Sequence, residues 1–90
     1  MVLSVFQDDD EAYCSWLFRN AEDGWVVNCT PTGKIPWLHR ANCPSIDIRA
    51  NDAGRRWTHS YIKVCADKPR ALEEWVAQRS GLVPERCSRC

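Results

Sequence analysis

Ninety residues make one small domain whose twelve basic and twelve acidic side chains leave it without net charge. That balance excludes a uniformly basic surface of the kind that neutralises nucleic acid by charge alone, and a charged fraction of 27% with five tryptophans excludes a disordered chain. No apolar stretch approaches the roughly 20 residues of a membrane helix. "MVLSVF" has neither the basic start nor the apolar length of a secretory leader, so the expectation is a cytoplasmic protein with reduced thiols.

"DDDEAYCSWLFRN" (8–20) predicts a first helix. Asp9 or Asp10 is its expected N-cap, and further acids in the first turn suit the helix dipole. Tyr13, Trp16 and Leu17 fall at i, i+3 and i+4 and form its buried stripe. "NAEDG" closes it, with Gly24 available for positive φ. "WVVNCT" (25–30) is β-branched and aromatic and predicts a strand. "PTGK" (31–34) is a turn, and "IPWLHR" (35–40) is the returning strand, with Pro36 at its start or on an edge. "ANCPS" continues as a tight turn, and 46–56 reads mostly as loop. "WTHSYIKVC" (57–65) alternates as a third strand. "DKPRALEEWVAQRSG" (67–81) predicts a second helix, capped by Asp67, with Pro69 in the first turn and Gly81 as its stop. Leu72, Trp75 and Val76 are its apolar stripe.

The predicted fold class is α+β: one domain over 1–90, with a three-stranded antiparallel sheet, two helices and a C-terminal cysteine knuckle. Its acidic N-terminal helical segment covers 1–24 and the rest of the module 25–90. Charge divides at the same place. Residues 1–24 hold six acids and one base, whereas 25–90 hold eleven bases and six acids.

Six cysteines and two histidines are the chemistry-bearing residues. "HRANC" places three residues between His39 and Cys43, and "CSRC" closes with Cys87 and Cys90. Each pair is a half-site that one turn can deliver. Together they supply the three thiolates and one imidazole of a tetrahedral structural zinc, so the expected metal ligands are His39, Cys43, Cys87 and Cys90, holding one Zn²⁺ per chain. Disulfides are the alternative, with 15 possible connectivities for six cysteines. Cys14, Cys29 and Cys65 read as core packing, Cys65 being the rival ligand because it ends a strand. His59 reads as a packing or surface histidine.

From "GWVVN" onward the order of elements resembles the N-terminal zinc-binding domain of the Ada methyl-phosphotriester repair proteins and the small domains related to it. "HRANC" resembles the first half-site of that family, "ALEEWV" its helix, and "CSRC" its closing knuckle, over roughly residues 25–90. The resemblance implies a DNA-acting context. It also implies that His39 stands where the family keeps its methyl-accepting cysteine. An imidazole does not perform that thiolate chemistry, so the expectation is a non-catalytic module. Two functions stay open. One is nucleic-acid recognition, most readily of DNA, through Arg40, Arg55, Arg56, Lys63, Arg86 and Arg89, with Trp37 or Trp57 stacking on a base if exposed. The other is protein interaction through the acidic N-terminal helix or a tryptophan patch.

Overall fold

The computed structural model describes residues 3–46 and 57–89, and within them a strand precedes the helix expected first. The elements run β1 (Leu3–Phe6), α1 (Asp10–Arg19), β2 (Trp25–Cys29), β3 (Trp37–Arg40), β4 (Ile62–Ala66), α2 (Pro69–Ser80) and β5 (Glu85–Arg86). They build one sheet in the order β1-β4-β2-β3-β5, antiparallel except where β5 runs parallel to β3. The α+β class with two helices holds. The expected three-stranded antiparallel sheet is corrected to a five-stranded mixed one.

Both additions are edge strands. β1 pairs Leu3 to Phe6 with Ala66 to Lys63, so the N-terminal segment supplies a strand as well as a helix. β5 has no apolar pattern of its own. It forms because β3 has a free edge: the Glu85 N–H donates to the Pro36 carbonyl and the Cys87 N–H to the Leu38 carbonyl, each at 3.0 Å. Tertiary placement creates this strand, and local propensity does not.

The sheet buries both faces. Alternation sends Val26 and Cys65 to one side, where Tyr13, Trp16 and Leu17 of α1 cover them together with Ile46 and Trp57. Val27, Cys29, Leu38 and Val64 point to the other side, under Ala71, Leu72 and Val76 of α2. The stripe expected on α1 is buried in full. On α2, Trp75 is only partly buried and Ala71 takes a core position in its place. Arg79 lies over the Trp75 ring, 5.2 Å from its centroid.

The acidic run is the main surprise. Asp9 caps α1, its carboxylate accepting the Ala12 N–H at 3.1 Å. The flanking acids bind residues 57–59 across the chain. Asp10 accepts the Trp57 N–H (3.0 Å), the Thr58 N–H (2.8 Å) and the Thr58 hydroxyl (2.6 Å). Asp8 meets His59 Nδ1 at 2.7 Å. With the amides of Trp57 and Thr58 spent on a carboxylate, the strand expected over 57–65 begins only at Ile62. Burial works to raise the Asp10 pKa, but the bonds from Thr58 and Trp57 outweigh it and hold the carboxyl below its ordinary value.

Two helix ends differ from expectation. α2 is preceded by Lys68 in extended conformation with no side-chain cap, so Asp67 does not cap it; Pro69 occupies the first turn, and Gly81 ends the helix at φ 74°. α1 ends at Asn20, and Gly24 has no positive φ. Glycine is required at 24 for space: a Cβ there would stand 2.6 Å from both the Asn20 carbonyl oxygen and the Trp16 ring. Gly24→Ala is therefore expected to cost about 1–3 kcal/mol by overpacking, read as a lower urea midpoint with unchanged slope.

Candidate metal centre

His39, Cys43 and Cys87 converge because three backbone features place them. His39 lies on β3, and its partner across the sheet is Val26 of β2. The chain then turns. The Ala41 N–H donates to the Gly24 carbonyl, the Cys43 N–H to the Arg40 carbonyl and the Ile46 N–H to the Cys43 carbonyl, which returns Cys43 beneath the strand end. Cys87 follows β5, and its bond to Leu38 sets it beside His39. Arg86 pairs with Leu38, so alternation turns Cys87 to the same face as His39.

The ligand atoms of His39, Cys43 and Cys87 all lie within 4.8 Å of one another, close enough to hold a metal ion. The sulfurs of Cys43 and Cys87 are 3.9 Å apart. Cys87 Sγ accepts the Arg89 N–H at 3.4 Å and contacts the Ser45 hydroxyl at 3.7 Å. His39 and Cys43 are buried. Burial, with the Lys63 cation adding to it, pushes the His39 pKa down to about 4, so its imidazole is neutral at physiological pH, the form that ligates metals. Cys43 is also disulfide-bonded in this structure. A cysteine cannot serve in a disulfide and as a thiolate ligand at once, so Cys43 can ligate a metal only when that disulfide is reduced.

Of the expected quartet, three residues are brought together, and Cys90 lies outside the described residues. The rival ligand does not join them. Val26 stands between His39 and Cys65 in the same row, which separates their backbones by two strand spacings, roughly 9.6 Å. Cys65 and Cys29 are fully buried in the two cores. Burial raises both thiol pKa values, that of Cys29 to about 11, as befits inert packing cysteines. Cys14 is half-buried on α1. His59 is exposed against Asp8.

The basic residues expected to meet nucleic acid divide. Arg40, Arg86 and Arg89 are exposed. The guanidinium carbons of Arg40 and Arg86 lie 5.0 and 6.0 Å from the centroid of Trp25. Lys63 is corrected: it is 4% exposed, and its ammonium donates to Asn28 Oδ1 and the Trp57 carbonyl inside the molecule. Alternation carries it to the α1 face, where its stem and the Tyr13 ring, 5.7 Å from its Nζ, enclose it. Arg55 and Arg56 lie outside the described residues. Trp57 is buried, and Trp37 is 40% exposed. Among the described residues no helix is long and apolar enough to cross a membrane. Compared with models of known protein families, with curated proteins and with solved structures, the chain matches none.

Proposed function

We propose that the protein is a non-catalytic zinc-binding module in which one Zn²⁺ joins the C-terminal segment to the end of the β2–β3 hairpin. The observation that carries this reading is the spacing of the sulfurs. Two thiolates each about 2.3 Å from one zinc, at the tetrahedral angle, stand about 3.8 Å apart. Cys43 and Cys87 are 3.9 Å apart, well beyond the roughly 2.05 Å of a bond between them. A neutral, buried imidazole and a hydrogen-bonded sulfur complete a donor set suited to zinc. Cys90, the residue after Arg89, is the fourth ligand in this proposal. With four protein ligands the zinc retains no water and serves structure.

The module's proposed ligand is nucleic acid, with DNA favoured by the Ada-type resemblance. Arg40 and Arg86, held over Trp25 on the face of the sheet opposite the centre, supply two cations for phosphates. The experiment is a binding titration of single- and double-stranded oligonucleotides against the zinc-loaded protein over a range of salt. The expected result is affinity that falls with salt, and a slope reduced by roughly 2 in Arg40→Ala/Arg86→Ala. Absence of binding at low salt overturns the nucleic-acid reading and leaves the zinc reading standing.

A second reading rests on the bonded state of Cys43: a disulfide staple at the same place, doing the same mechanical work without metal. Native mass spectrometry of protein purified without chelator, before and after reduction, separates the two. Zinc adds one metal per chain, and a disulfide lowers the mass by two hydrogen atoms, which reduction restores.

A further inference from the structure

Among the described residues, Ile35 is the one whose local energetics disfavour its identity on two counts. It is β-branched yet adopts φ 52°, in the left-handed region, where glycine or asparagine would sit with little or no strain. It is also 56% exposed, so it regains little of that cost by burial. Folding alone gives no reason for an isoleucine there. Contact with another molecule does, since strained positions that persist cluster at binding sites.

Its surroundings support this. Ile35, Pro36 and Trp37 form one wall of a groove of about 280 Å³, and Leu82, Val83 and Glu85 form the other. A second groove, of about 530 Å³, lies on the far side of the Leu82–Val83 ridge, against Arg70, Glu73, Glu74 and Ala77 of α2. Val83 is 77% exposed and Leu82 43%. The ridge is pinned from below by the Glu85–Pro36 hydrogen bond and the β3–β5 pairing. The lining charges are acidic on balance. Arg70 is the one basic residue among them and is taken by Glu74 at 3.6 Å. Glu73 and Glu85 are therefore left on opposite sides of the ridge. Arg86, next to Glu85, turns to the other face of β5, over Trp25.

We infer that this double groove is a docking surface for a basic amphipathic segment of a partner protein. Its apolar side chains would straddle Leu82 and Val83 against Ile35 and Trp37, and its lysines or arginines would meet Glu73 and Glu85. The acidic rim selects against an anionic lipid surface and against nucleic acid, so this face is separate from the Arg40–Trp25–Arg86 patch. The inference rests on the fold and not on the identity of the metal.

The test uses two synthetic amphipathic peptides of the same pattern, one of leucine and lysine, the other of leucine and glutamate, titrated into the isotope-labelled full chain. The leucine–lysine peptide is expected to bind and to move the amide resonances of 35–37 and 82–85. The leucine–glutamate peptide should bind at least about tenfold more weakly, and Val83→Asp, at an exposed position that does not threaten folding, should weaken the first peptide by a similar factor. Equal affinity for both peptides, no binding of the first, shifts confined to other residues, or an unchanged Val83→Asp each overturns the inference. Self-association of the peptide-free chain that Val83→Asp abolishes also overturns it, by placing a second copy on the ridge.

Discussion

Cys87→Ser is expected to abolish stoichiometric zinc binding and to destabilise the reduced protein by about 4 kcal/mol when free zinc stands a thousandfold above its dissociation constant. The reason is positional. Cys87 stands directly beyond a two-residue strand whose attachment to β3 rests on backbone bonds from Glu85 and Cys87 and on no apolar pattern of its own. The metal holds what the strand alone does not. The loss should be local at first: amide exchange protection falls in 85–89, while the β1-β4-β2 ladder keeps its own, because the α2-side core contains none of the three ligands and the α1-side core, which includes Cys43, is built largely from Tyr13, Trp16, Leu17 and Val26. Cobalt substitution checks the ligands directly, since thiolate-to-cobalt charge transfer should be present in the wild type and diminished in Cys87→Ser. Cys14→Ser, on α1 and outside the cluster, should leave metal content unchanged. A reduced wild-type chain that stays fully folded and takes up no metal would sink the zinc reading.

The candidate site was legible because its parts are local. His39 and Cys43 are separated by three residues and Cys87 lies in a short terminal motif, so each half is written in a few residues and only their meeting had to be inferred. The helix stripe on α1 was equally direct: Tyr13, Trp16 and Leu17 repeat at the helical period and all three are buried. Elements defined by distant partners were not legible. β5 consists of Glu85 and Arg86, which carry no strand signal, and exists because β3 presents an open edge. Lys63 looked like a solvated cation, yet its position in β4 turns it inward to Asn28 and Trp57. The acidic run over 8–10 read as helix cap and surface charge. Its distance of about fifty residues from Trp57 and Thr58 hid its second role. Gly24 was expected for its backbone freedom and is needed for its missing side chain, a demand set by the approach of Asn20 and Trp16.

That second role of the acidic run gives the other large effect. Asp10→Ala is expected to destabilise the protein by roughly 3 kcal/mol, since hydrogen bonds to a charged group are each worth about 1.5–3 kcal/mol and do not add fully. Three donors lose their acceptor at once: the amides of Trp57 and Thr58 and the Thr58 hydroxyl. Thr58 is fully buried and Trp57 nearly so, so water does not readily replace the carboxylate. The Thr58 hydroxyl also accepts the Asp9 N–H at 2.7 Å, which couples the start of α1 to the approach to β4. Asp9→Ala removes only the cap bond to Ala12 and should cost about 1 kcal/mol, making it the matched control. The pH dependence has a fixed sign. The folded-state pKa of Asp10 is depressed below its ordinary value. Its contribution is therefore present above the unfolded value, about 3.9, and is lost as pH falls through the folded one. The stability gap between wild type and Asp10→Ala, measured by urea unfolding, should be full at neutral pH and close progressively below about pH 4. An Asp10→Ala protein within about 0.5 kcal/mol of wild type at pH 7 would show that the acid is a surface charge after all and that β4 does not need it to begin at Ile62.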